Sequence, residues 1–132
     1  MLLLGLVCCC LPSRLPADTL YVSDEASNTI ARFDLATGLS LGVLSGPGVN
    51  LPRGLAFDAS GNLYVADYGG KIEKFDPAGN YLSTFAASTN LYGGFGLAMD
   101  GQGNFYVAVR DTSTIQKVDA TGTVLGSYYG VI

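Results

Sequence analysis

Leu63-Tyr-Val-Ala-Asp67, then Gly70-Lys-Ile-Glu-Lys-Phe-Asp76, then Ala78-Gly-Asn-Tyr-Leu-Ser-Thr-Phe85 decides the fold, because the same pattern is written three times. Upstream it reads Leu20-Tyr-Val-Ser-Asp24, Asn28-Thr-Ile-Ala-Arg-Phe-Asp34 and Ala36-Thr-Gly-Leu-Ser-Leu-Gly-Val-Leu44. Downstream it reads Phe105-Tyr-Val-Ala-Val109, Ser113-Thr-Ile-Gln-Lys-Val-Asp119 and Ala120-Thr-Gly-Thr-Val-Leu-Gly-Ser-Tyr128. Tyr21, Tyr64 and Tyr106 are 43 and 42 residues apart; Asp34, Asp76 and Asp119 are 42 and 43 apart. A fixed period of this length is the mark of a repeat architecture.

The second and third repeats add a leading element, Arg53-Gly-Leu-Ala-Phe-Asp58 and Phe95-Gly-Leu-Ala-Met-Asp100, each followed by a Gly- and Asn-containing turn. Each repeat therefore reads as four short strands joined by turns. The innermost strand is predicted at 54–58 and 96–100, and the second at 19–23, 62–66 and 104–108. The third is predicted at 29–34, 71–76 and 114–119, and the fourth at 39–44, 80–85 and 123–129. The first repeat lacks the innermost strand. Four strands every 40–45 residues is the spacing of a β-propeller blade. The second strand supports blades over a sandwich. Leu63-Tyr-Val-Ala is apolar at successive positions, as in a strand covered on both faces. The third strand, with Ile72, Lys74 and Asp76 against Glu73 and Phe75, is predicted to lie nearer solvent. Pro47, Pro52 and Pro77 fall in connections. The fold class is all-β, a partial propeller of about three four-stranded blades, over about 18–46, 51–88 and 94–131.

The run Leu51-Pro-Arg-Gly-Leu-Ala-Phe-Asp-Ala-Ser-Gly-Asn-Leu-Tyr-Val-Ala-Asp67, continued by Lys71-Ile-Glu-Lys-Phe-Asp-Pro-Ala-Gly-Asn80, resembles an NHL repeat. The resemblance covers about 18–132. It implies a six-bladed propeller related to the gluconolactonase and senescence-marker superfamily.

Composition narrows the chemistry. The chain is 48% hydrophobic and 14% charged, with 18 glycines, which excludes a disordered chain and suits tight β-turns. The formal net charge is −4 and no basic run occurs, so no nucleic-acid partner is expected. There is no histidine, which removes the commonest general base and metal ligand. A Ser-His-Asp or Cys-His constellation cannot be built from this chain.

Cys8, Cys9 and Cys10 sit inside the apolar run from Met1 to Leu11, too short to span a bilayer as a helix. We read 1–17 as a signal peptide, with Ala17 at the cleavage point, and the protein as exported, extracytoplasmic or secreted. No Lys or Arg precedes the run. A lipidated cysteine and an apolar N-terminal strand stay open as alternatives.

The repeated aspartates Asp34, Asp58, Asp76, Asp100 and Asp119 could form a carboxylate ring, but an Asp ending a strand ordinarily accepts bonds from the next turn. Functional residues are expected where the repeats disagree. Asp24 and Asp67 close the second strand, with Val109 in the third equivalent place. Glu25, Tyr68 and Arg110 follow, then Asp111. Arg53 opens an innermost strand with Phe95 in its register. An arginine there could receive a carboxylate or phosphate, or pair with a neighbouring-blade carboxylate such as Asp67. Asp24, Glu25, Arg53, Asp67, Tyr68, Phe95, Arg110 and Asp111 are the eight residues of the candidate ligand-binding rim.

The resemblance also implies an axial divalent metal held by Glu, Asn and Asp. Here Asp24, Glu25, Asp67 and Asn90 are the donors available, of a type suited to Ca²⁺ or Mg²⁺. No family metal motif matches, so no metal site and no catalytic residue is assigned. Related lyases depend on histidine, which is absent.

Closed propellers use four to eight blades. Three blades are expected to leave apolar faces uncovered. Further blades of a longer chain, a second copy closing the ring head to tail, or an open arc would each resolve this. The function expected is a non-catalytic binding scaffold for a protein or glycan ligand. The alternative is a metal-assisted hydrolase of the lactonase type.

Overall fold

The computed structural model describes residues 18–129, and the reading of 1–17 as a leader lies outside them. Eleven strands form three antiparallel sheets. The first blade holds β1 (Thr19–Asp24), β2 (Thr29–Asp34) and β3 (Ser40–Leu44). The second holds β4 (Pro52–Phe57), β5 (Leu63–Asp67), β6 (Gly69–Phe75) and β7 (Tyr81–Tyr92). The third holds β8 (Gly94–Met99), β9 (Phe105–Val109), β10 (Thr114–Val118) and β11 (Val124–Tyr129). Strands follow chain order within each sheet, and the first sheet has three.

Register repeats with the sequence. Leu20 faces Phe33, Leu63 faces Phe75 and Phe105 faces Val118 across the second and third strands. Side chains alternate between faces along a strand, so β5 supplies two cores. Leu63 and Val65 join Ile30, Leu44, Val49, Leu55 and Phe75 between the first and second blades. Tyr64 and Ala66 join Ile72, Leu91, Phe105, Val107, Val109 and Val118 between the second and third. All five residues of β5 are buried, which is why its sequence does not alternate. Burying one such Leu, Val or Phe side chain contributes about 1.5–3 kcal/mol. Blades two and three approach so closely at Gly54 that an added Cβ would lie 2.7 Å from the Leu97 backbone nitrogen.

The turns explain the repeated aspartates. Asp58 Oδ1 accepts the Ser60 and Asn62 amides at 2.9 Å, and Oδ2 accepts the Asn62 side chain at 2.7 Å and the Tyr64 hydroxyl at 3.2 Å. Asp100 does the same with Gln102, Asn104 and Tyr106. Asp34, Asp76 and Asp119 accept amides of their own turns. In each turn a glycine stands at positive φ, from Gly38 at 72° to Gly79 at 92°. These aspartates hold hairpins and form no ring.

Three details depart from the sequence reading. The fourth strand of the second blade reaches Tyr92 rather than residue 85, through bulges opposite β6. Pro52 opens β4 instead of lying in a connection, at a first position where its missing N–H is tolerated. β6 is not near solvent in the second blade: Ile72, Glu73 and Phe75 are all fully buried.

Candidate functional site

The turns after β1, β5 and β9 and the starts of β4 and β8 come together on one rim. At the same repeat position beside each of those turns one residue stands in the left-handed region: Asn28 (φ 57°), Gly70 (87°) at the start of β6, and Ser113 (52°). Only glycine takes this conformation freely, yet Asn28 and Ser113 take it as well. Asn28 is further fixed by its side-chain oxygen, which accepts the Leu51 amide at 2.6 Å.

Arg53 is the centre of the rim. Its Nε donates to Glu25 Oε2 of the first blade at 2.9 Å. Its guanidinium carbon lies 4.9 Å from the Tyr68 ring centre and 5.1 Å from that of Phe95, which belongs to the third blade. The Ser23 hydroxyl donates to the Arg53 carbonyl at 2.8 Å. One arginine thus ties three blades together. Its Nη1 is buried without a hydrogen-bond partner. A planar guanidinium can stack on two rings and still pair with a carboxylate, which lysine cannot reproduce.

Around it the rim is aromatic and partly exposed. Tyr68 donates its hydroxyl to Asp111 Oδ2 at 2.9 Å, and this bond to a carboxylate holds the phenol above its ordinary pKa. Tyr92, half exposed, packs on Tyr68 with ring centres 4.9 Å apart. Phe95 is 47% exposed. Beyond Phe95 an open pocket of about 420 Å³ is lined by Phe95, Ala108, Arg110 and Ser113.

Six of the eight candidate residues are therefore neighbours: Glu25, Arg53, Tyr68, Phe95, Arg110 and Asp111. The other two are not part of this surface. Asp24 accepts the Ala26 and Ser27 amides and the Ser27 hydroxyl, and those bonds, the hydroxyl foremost, hold its carboxyl below the ordinary value. Asp67 is fully buried beneath the rim, and the neighbouring-blade partner of Arg53 is Glu25 instead. Tyr92 was missed by sequence reasoning, because the bulged extension of β7 that carries it has no counterpart in the other repeats.

Asp67 shares its buried face with Glu73. Asp67 Oδ1 accepts the Lys71 amide at 3.0 Å, and Glu73 Oε2 accepts the Tyr81 and Thr84 hydroxyls at 2.8 and 2.9 Å. Asp67 Oδ2 and Glu73 Oε1 have no hydrogen-bond partner, and Lys71 Nζ stands 4.0 Å from the latter. Burial first, and then the Glu73 charge, push the Asp67 carboxyl up to about 6. Among the described residues no three His, Cys, Asp or Glu side chains group as metal ligands; Asn90, the remaining oxygen donor, is exposed.

No protein-family model and no curated protein matches the chain. Solved structures do. The chain aligns with hydrazine synthase of Kuenenia stuttgartiensis at TM-score 0.70 and 17% identity, covering 86% of this chain and 33% of that one. It aligns with a streptogramin B lyase at TM-score 0.72 and 14% identity, covering 96% and 40%. It aligns with a chain of the nidogen/laminin complex at TM-score 0.69 and 23% identity, covering 86% and 45%. These likenesses define the class: the chain has a β-propeller fold, seen here as an open partial ring. It spans between a third and a half of each of these chains.

Proposed function

We propose that the protein is a non-catalytic interaction module of an exported, NHL-like β-propeller, and that its rim takes a protein or glycan ligand. The observation that carries this reading is Arg53, locked between Tyr68 and Phe95 and flanked by half-exposed Tyr92. Rigid aromatic and arginine side chains give large contact area at low entropic cost, and they dominate binding energy at interfaces. The nidogen/laminin chain, a protein of similar fold, is held in a protein complex. By contrast, a catalytically inactive form of virginiamycin B lyase from Staphylococcus aureus is a histidine-to-alanine variant, and this chain carries no histidine.

The test is selection of a displayed random-peptide library, and in parallel a glycan array, on the wild-type protein. Bound peptides or glycans should lose at least tenfold in affinity with Tyr92→Ser or Phe95→Ser. Binders indifferent to both substitutions would place recognition elsewhere. Hydrolysis of a simple lactone dependent on added Ca²⁺ would favour the hydrolase instead.

A further inference from the structure

We propose that Asp67 and Glu73 form a Ca²⁺ site between the first and second blades, covered by the connection through Gly48 and Asn50. This inference does not depend on the ligand of the rim.

Strand pairing puts the two carboxylates together. Val65 faces Glu73 across β5 and β6, so Asp67, two residues on, lies diagonally from Glu73 on the same face. Side chains of diagonal neighbours are long enough to reach one another. Both residues are fully buried, and each leaves one oxygen, Asp67 Oδ2 and Glu73 Oε1, without a hydrogen-bond partner. A buried carboxylate in that condition is costly unless a counter-charge stands beside it. Lys71 offers little. Its Nζ is 4.0 Å from Glu73 Oε1, at the limit of an ion pair, and its side chain is 39% exposed. Even counted in full, one ammonium leaves one of the two buried charges unbalanced.

The third blade shows that the fold does not require such a pair. There Val109, Thr114, Gln116 and Ser127 hold the places of Asp67, Lys71, Glu73 and Thr84. Gln116 is buried like Glu73 but neutral. Its Nε2 donates to the Thr114 hydroxyl at 3.1 Å, and its Oε1 accepts the Ser127 hydroxyl at 2.9 Å. That set satisfies itself. In the middle blade the Tyr81 and Thr84 hydroxyls both donate to Glu73 Oε2, which fixes the carboxylate and leaves Oε1 free. The first blade has Asp24 and Ala31 in the two acidic places. Among the described residues only the middle blade pairs two carboxylates in this way.

The cover is fitted to the pair. Gly48 lies so near that an added Cβ would overlap the Glu73 carboxylate, and glycine lets the backbone come that close. Beside Gly69 the Asn50 side-chain nitrogen and Asp67 Oδ1 lie 3.2 and 3.4 Å from the point an added Cβ would take. Asn50 is exposed, so the Asp67 end of the pair adjoins a residue that meets solvent. Main-chain oxygens of this connection and the Asn50 amide oxygen are the neutral donors at hand. Ca²⁺ accepts about six to eight such oxygens in flexible geometry, whereas Mg²⁺ demands a regular octahedron and keeps several waters. Once Ca²⁺ balances both carboxylates, Lys71 is free to turn outward. Glu73 stands on the third strand from the inside of its blade, so this is not the axial metal position that the NHL resemblance implies.

The test uses full-length protein freed of metal with EDTA and then titrated with CaCl₂, followed by calorimetry and thermal melting. One Ca²⁺ should bind per chain. At about a hundredfold excess over the dissociation constant the melting temperature should rise by about 5–10 °C, with no such rise in NaCl of equal ionic strength. Glu73→Gln, which copies Gln116, and Asp67→Asn should each weaken binding by about tenfold or more. Without Ca²⁺ both should melt no lower than wild type. Tb³⁺ in place of Ca²⁺ should luminesce on tyrosine excitation, because the Tyr81 hydroxyl is bonded to Glu73, and either variant should lose that signal. If one variant fails to fold, the other carries the comparison. A wild type that does not respond to Ca²⁺, a rise that NaCl reproduces, or undiminished binding in a folded variant would each overturn the proposal.

Discussion

Replacing Asp67 with asparagine should stabilise the protein at neutral pH relative to acid pH. Asp67 is fully buried, with one oxygen bonded to the Lys71 amide and the other unpartnered. Its carboxyl is raised from 3.8 to about 6, by burial and by the Glu73 charge. The folded state therefore holds this proton more tightly than the unfolded state. The group costs nothing well below pH 3.8, where both states are protonated. Its cost grows through the interval from 3.8 to about 6 and is complete above it. At about 1.36 kcal/mol per pH unit the upper bound is about 3 kcal/mol at neutral pH. Screening by solvent reached through the partly exposed Lys71 brings the expected value to about 1–2 kcal/mol. Urea unfolding of wild type and Asp67→Asn at pH 4, 5, 6 and 7 measures it. The gap between the two proteins should shift in favour of the variant by about 1–2 kcal/mol from pH 4 to 7. Using that shift removes any constant effect of the new amide N–H. A gap that does not change with pH, or that moves against the variant, would refute the reasoning.

The turn aspartates should act in the opposite sense. The Asn104 side chain, with the turn amides, holds Asp100 down to about 2, so its stabilisation is present above pH 4 and is lost as pH falls toward 2. An Asp100→Asn variant should show a shallower loss of melting temperature between pH 4 and 2 than wild type. Asp58→Ala should cost about 2 kcal/mol in urea unfolding, since two amides, Asn62 and Tyr64 all donate to that carboxylate. Gly54→Ala should cost about 2–3 kcal/mol, because the added carbon meets Leu97 backbone and no side chain can turn aside. Arg53→Lys should lose nearly as much stability as Arg53→Ala, about 1–2 kcal/mol by thermal melts, because a lysine forfeits the stacking on Tyr68 and Phe95.

The fold was legible in the sequence because the repeat is a packing unit. Leu63-Tyr-Val-Ala announces a strand covered on both sides, and Tyr64 and Val65 do face different blades. Asp58 and its equivalents announced turns, since a short carboxylate followed by a positive-φ glycine has one economical arrangement. The rim was legible only in outline. Glu25, Arg53, Tyr68 and Phe95 stood out as departures from the repeat, but which carboxylate Arg53 would take depended on how the blades are set against one another. Asp67 looked like a loop residue because it ends a strand, yet it is fully buried, with the Lys71 and Asn50 backbones beside it. Glu73 looked solvent-facing because charge in an alternating strand usually is. Its burial is compensated by Tyr81 and Thr84, two hydroxyls from the next strand whose pairing the repeat does not encode.

The central claim is that successive repeats stack as blades, each touching only its neighbours. Aromatic and methyl proton contacts in a nuclear Overhauser spectrum test it most directly. The account predicts cross-peaks from the Tyr64 ring to Phe105, with centres 4.6 Å apart, and from Tyr21 to Phe57, 4.9 Å apart. It predicts none between Tyr21 and Phe105 within one molecule. Strong cross-peaks between the first and third repeats, with the Tyr64 to Phe105 contact missing, would mean a folded sandwich and would contradict the account.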